Sequence, residues 1–159
     1  MLYELQGIFT LEEKEIAELD SKKHDSFIVP LSLRDEQLFS AIASFFLRYC
    51  TKFYAYYYNP EAREELMRTV IRRDPFHAYG KIDRKNIELL SDIKRMSPRE
   101  KAINYGLWLY LFNENNLAVF RYEDEGENFE ILLKRDEQKQ FQEFMSTRGF
   151  AIDLKKWRR

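Results

Sequence analysis

The 159 residues predict an α+β fold: a single compact domain with four to five helices around an aromatic-rich central helix, and a small, mainly antiparallel sheet. Three observations carry this expectation. Apolar residues recur at helical spacing from Asp35 to Tyr58, the period changes to two after Asn116, and a ββαβ order then runs to the C-terminal part. A chain of this length buries well over half of its unfolded surface. No linker, internal repeat or low-complexity tract divides it, so residues 1–159 read as one unit with a basic tail at 155–159. The alternative packing is a helical bundle with the hairpin as an appendage.

In chain order, Leu2 to Phe9 alternates weakly and predicts a short strand, weakened by Gly7. Thr10-Leu11-Glu12-Glu13 forms a capping box that opens an acidic helix from about Leu11 to Asp20. Asp20 to Ser26 is a polar loop, and Phe27-Ile28-Val29 predicts a strand feeding the central helix. Ser32, three residues before Asp35, offers a variant of the capping box at that helix's start. Leu38, Ile42, Phe45, Tyr49, Phe53 and Tyr56 make one face of the helix, and Phe39, Phe46, Cys50, Tyr54 and Tyr57 make the row beside it. Only Gln37, Ser40, Ser44, Arg48, Thr51 and Ala55 remain as a polar or small strip, so the helix requires neighbours on most sides. Arg48 and Lys52 at its middle exclude a membrane span.

Asn59-Pro60 stops that helix and starts a second, with Leu66, Met67, Val70 and Ile71 as its apolar stripe and Arg63, Arg68, Arg72 and Arg73 on other faces. Asp74-Pro75 closes it, and Phe76 to Ile82 is a connector. Asp83 caps a third helix whose face is Ile87, Leu90, Ile93 and Met96. Ser97-Pro98-Arg99-Glu100 opens a fourth, carrying Ile103, Leu107, Tyr110 and Leu111 with Trp108 and Phe112 on its flank. Asn113 to Asn116 is a turn, followed by a hairpin of Leu117 to Glu123 and Phe129 to Arg135, with Gly126 in its tip. Asp136 caps a last helix with Phe141, Phe144 and Met145 inward, ended by Gly149. Phe150, Ile152 and Leu154 alternate as a final strand.

The chemistry is bounded mainly by exclusion. A lone cysteine, Cys50, forbids an internal disulfide and fits a reducing compartment. The acidic start, MLYELQGIFTLEEKEIAELD, lacks the features of a signal peptide, so a cytoplasmic location is expected. Neither His24 nor His77 has a second ligand nearby in sequence, so no metal site is expected. The five glycines stand too far apart for a GxGxxG or GxxxxGK[ST] phosphate loop. Placing Gly126 sixth in a calcium loop puts Arg121 first and Leu132 twelfth, where carboxylates are needed. No catalytic residue and no cofactor is therefore assigned.

Near-zero net charge hides segregation. Residues 1–20 carry six acids against Lys14, and residues 148–159 carry five bases against Asp153. Complementary patches of this kind steer association and fix partner choice. The expectation is a non-enzymatic protein-binding module of the adaptor, inhibitor or immunity kind. Its surface comprises Tyr54, Tyr57 and Tyr58 as exposed aromatics, Glu12, Glu13 and Glu15, and the hairpin-tip acids Asp124, Glu125 and Glu127. The alternative is a nucleic-acid-associated accessory protein using an arginine helix (Arg68, Arg72, Arg73) and the tail Lys155, Lys156, Trp157, Arg158 and Arg159. The plain structural readings are tyrosines in the core and a solvated tail with Trp157 folded onto the domain.

Overall fold

The computed structural model describes residues 23–30, 36–56, 58–67, 69–73, 77–97, 107–123 and 128–159. Seven strands form one antiparallel sheet: β1 (His24–Ile28), β2 (Lys52–Tyr56), β3 (Val70–Arg73), β4 (His77–Lys81), β5 (Trp108–Phe112), β6 (Ala118–Glu123) and β7 (Asn128–Lys134). Their order across the sheet is β1-β7-β6-β5-β2-β4-β3. The described helices are α1 (Glu36–Leu47), α2 (Arg63–Met67), α3 (Ile87–Leu90), α4 (Ile93–Met96), α5 (Gln138–Thr147) and α6 (Leu154–Trp157). Mixed α+β architecture is as expected, but the sheet, with seven strands among the described residues, is larger than the small sheet expected.

The principal correction concerns the central helix. It ends at Leu47, and its expected second half is β2, the strand between β4 and β5. Amides of Tyr49 and Cys50 donate to the Phe46 carbonyl, and the Thr51 amide then donates to Phe112 O to begin the ladder. The chemistry of the run changes there: alanine, leucine and serine accompany the phenylalanines before the turn, whereas tyrosine, which favours strands, dominates after it. The wide apolar arc has the same origin. Phe53 and Ala55 enter the main core, while Tyr54 on the opposite face joins Tyr79, Tyr110, Phe112 and Ala118 in a second cluster. A strand buried on both faces has apolar residues at every position, which matches a helical period as readily as a strand's.

The other corrections follow the same chemistry. Val70–Arg73 and His77–Lys81 are paired strands, not helix and connector, with a register irregularity between Val70 and Arg72. A side chain at Gly80 would place its Cβ 2.6 Å from the Thr69 carbonyl oxygen, so only glycine permits this approach of β4 to the turn before β3. The third helix is broken into α3 and α4, because Asp92 caps anew by accepting from the amides of Lys94 and Arg95. Asp83 accepts from the amides of Lys85 and Asn86. Buried Asn86 accepts from Asp83 N and donates to Thr69 Oγ1 and Lys81 O, so its polar atoms are satisfied. Trp108 to Phe112 is a strand rather than the end of a fourth helix.

The C-terminal part follows expectation through the hairpin, α5 and Gly149, whose φ of 87° suits glycine alone. Asn113 Oδ1 accepts from the amides of Asn115 and Leu117, and Asn116 takes φ 62°, a conformation asparagine tolerates. The entry to α5 is closed by Glu137, which accepts from Lys134 N at 2.7 Å, not by Asp136. No final strand forms at 150–154. Asp153 accepts from Lys155 N and starts α6, after which Arg158 makes an antiparallel bridge to Phe27 and Arg159 N donates to Ser26 O. The tail thereby lies along the outer edge of β1.

The core lies between α1 and the sheet, with Phe39 packed edge-on to Phe120 and Tyr122, and Phe45 edge-on to Phe46, Phe141 and Phe144. Among the described residues, no helix is long and apolar enough to cross a membrane. The expected strand at Leu2 to Phe9, the helix at Leu11 to Asp20, the cap at Ser32 to Asp35, the Asp74-Pro75 stop and the opening at Pro98 to Glu100 lie outside the described residues.

Candidate protein-docking surface

The structure redistributes the sequence-predicted site. Tyr54 and Tyr58, expected to be exposed aromatics, are 1% and 8% exposed, and the Tyr58 hydroxyl is buried with no hydrogen-bond partner among the described residues. Strand pairing is the reason for Tyr54: it stands between Tyr79 and Tyr110 in the second cluster. Among the described residues the exposed large hydrophobic side chain is Ile28, on β1. Glu12, Glu13, Glu15, Tyr57, Arg68, Asp124, Glu125 and Glu127 lie outside the described residues. Arg72 and Arg73 belong to β3, so the arginine helix does not form.

The tail differs from an aromatic-basic arm. Trp157 is 3% exposed and belongs to the main core, so it is not free to stack on a base. Arg158 pairs with Asp25 at 3.5 Å and Arg159 with Glu130 at 2.7 Å, while Glu130 also takes Arg121 at 3.0 Å. Exposed ion pairs contribute at most about 1 kcal/mol each, whereas a buried tryptophan contributes about 3 kcal/mol or more. Trp157 therefore holds the tail, and the ion pairs set its register. What remains of the segregated positive charge is Arg148, Lys155 and Lys156, all exposed and none in an ion pair with a described acid.

Arg148 belongs to a site that sequence reasoning missed. The Arg48 and Arg148 guanidinium carbons lie 4.9 Å and 4.1 Å from the centroid of the same Phe144 ring. Arg48 also lies 4.6 Å from the Phe45 centroid and donates from Nε to the Phe45 carbonyl at 3.3 Å. The two charges are thus no farther apart than the sum of their distances to Phe144, which is within a Debye length of about 10 Å at moderate salt. Neither forms an ion pair with a described acid. Glu137 senses Arg48, but its Oε1 is committed to the Lys134 amide, and burial is the main cause that raises its carboxyl pKa.

Beside this pair runs an open groove of about 400 Å³, floored by Ser40, Ala41 and Ser44 of α1 and walled by Arg148 and Phe150. The floor is the small and polar strip left over by the apolar arc of α1, and Ser44 Oγ donates to Ser40 O at 2.6 Å. Gln142 of α5 donates to Ile152 O at 3.0 Å and so holds the opposite wall against the helix. At the far end Glu36 pairs with Lys94 at 2.9 Å, which offsets its charge and leaves Arg148, among the described residues, as the charge that lines the groove without an ion-pair partner.

Burial pushes the Cys50 thiol well above its ordinary pKa, with the Glu137 charge adding to it, which opposes formation of a nucleophilic thiolate. On the second face, burial takes Tyr79 up to about 12 and raises Tyr110 further, the latter helped by the hydrogen bond its hydroxyl donates to Glu123. His77 stacks on Tyr56 at 4.4 Å, and His24 opens β1. Comparison of the chain with protein-family models, with curated proteins and with solved structures finds no match among any of them.

Proposed function

We propose that the chain is a non-enzymatic protein-binding module of the adaptor, inhibitor or immunity type, acting in the cytoplasm and docking through its Arg148 to Lys156 end. The observation that carries this reading is the set of exposed bases Arg148, Lys155 and Lys156, none in an ion pair with a described acid, on a segment anchored at both sides, by Gln142 to α5 and by Trp157 to the core. Anchored charge costs less ordering on binding than charge on a loose tail. The raised Cys50 thiol and the protonated tyrosines of the second face favour binding over nucleophilic or base chemistry. A single buried cysteine supports the cytoplasmic assignment.

The partner is obtained by co-purification from the native host with nuclease treatment, and the test is its association rate with charge-reversed Lys155→Glu/Lys156→Glu protein. Association at low salt is expected to slow about tenfold and to lose part of its salt dependence. Stability should stay within about 0.5 kcal/mol of the parent, since both side chains are exposed. Arg158 and Arg159 are left unchanged because their internal ion pairs would confound the result. An unchanged association rate contradicts docking at this end.

A further inference from the structure

We propose that the groove between α1 and the end of α5 receives an extended, carboxylate-bearing peptide segment of the partner, with Arg148, which lines it, as the anion receptor and Arg48, over the same Phe144 ring, reinforcing the positive charge beside it. The proposal rests on the protein-binding reading and names the chemistry that the site selects.

Three features point to a carboxylate-bearing peptide. First, two guanidinium groups are held over one ring, at 4.9 Å and 4.1 Å from the Phe144 centroid, without an ion-pair partner among the described acids. Their mutual repulsion is relieved when an anion sits between or beside them, and a planar carboxylate matches the fork of a guanidinium with two parallel hydrogen bonds. Contact with Phe144 holds both charges at one place in advance, so less ordering is needed on binding. Second, Ser40, Ala41 and Ser44 keep the groove floor low, which admits a peptide backbone close to α1. The Ser44 hydroxyl proton is already given to Ser40 O, so its oxygen remains free to accept from a peptide N–H. Third, the groove is polarised along its length: Arg148 pairs with no described acid at one end, and Glu36 is offset by Lys94 at the other. An acidic side chain is thus favoured at the arginine end while the rest of the segment runs along a neutral channel.

The test uses a fluorescent ten-residue peptide of alternating glutamate and serine, its glutamine counterpart, and inorganic phosphate as competitor, read by anisotropy at low and at physiological salt. The glutamate peptide is expected to bind about tenfold tighter than the glutamine peptide, and Arg148→Gln to lose about tenfold, the scale of one charge-assisted contact. Ser40→Leu, which fills the groove with both arginines intact, should lose binding as well, and its unfolding curve shows whether it remains folded. Lys155→Gln/Lys156→Gln should change peptide affinity less than about threefold, because neither lines the groove nor sits over the Phe144 ring beside it. Equal affinity in Arg148→Gln, a larger loss in the lysine variant, no glutamate-peptide binding at low salt, or failure of inorganic phosphate to displace the bound peptide would each overturn the proposal. If the peptide fails while the natural partner still responds to Lys155 and Lys156 reversal, docking at the basic end stands and only the groove assignment falls.

Discussion

Phe45→Ala is expected to destabilise the fold by about 3–5 kcal/mol, the range for truncating a fully buried phenylalanine. The ring is 1% exposed and stands 5.3 Å from Phe46, 5.1 Å from Phe141 and 5.5 Å from Phe144, so it joins α1 to α5 directly. Edge-on aromatic pairs add about 0.5–1.5 kcal/mol beyond area burial, which places the expected loss toward the upper part of the range. Chemical denaturation measures it. A change below about 1 kcal/mol would mean that α1 does not pack as described. The same substitution removes one of the two rings that hold Arg48, so site geometry and core packing are coupled through this residue.

The second large effect is expected at Trp157. Its truncation to alanine should cost about 3 kcal/mol or slightly more, the cost being limited at the upper end by undocking of the tail rather than global unfolding. Loss of the anchor also frees the Phe27 to Arg158 bridge and the bond from Arg159 N to Ser26 O, exposing the edge of β1. Denaturant melts compare Trp157→Ala with Lys156→Ala, whose exposed side chain predicts a change within about 0.5 kcal/mol. Equal small changes in both variants would place Trp157 in solvent and restore the free aromatic-basic arm.

Where period and punctuation agree, the structure was legible in the sequence. Leu117 to Arg135 alternates between an asparagine turn and a capped helix, and it folds as that pattern requires. The glycine stop of α5 reads equally well, whereas its entry is closed by Glu137 rather than the expected Asp136. Legibility failed where a strand is buried on both faces and no glycine or proline marks its start. Nothing from Leu47 to Lys52 breaks a helix, so the period of α1 ran on into β2, and the same ambiguity misplaced Trp108 to Phe112. The alternation of Phe150, Ile152 and Leu154 was outweighed by a local signal, the Asp153 cap, and by the burial of Trp157. At the site, the small strip Ser40, Ser44 and Arg48 was visible as the residue of the apolar arc. Its opposite wall was not, because Arg148 reaches that strip only through tertiary packing of α5 on α1, which leaves no periodic trace.

Docking through the Arg148 to Lys156 end is tested most directly by a side-chain labelling footprint of the complex with the co-purifying partner, using lysine- and arginine-selective reagents read by mass spectrometry. Lys155, Lys156 and Arg148 are exposed and should be protected in the complex. Lys81 and Lys85, exposed near the opposite edge of the sheet where β4 meets β3, should label as in the free protein. Protection of Lys81 and Lys85 with Arg148, Lys155 and Lys156 labelled as before would contradict docking at this end.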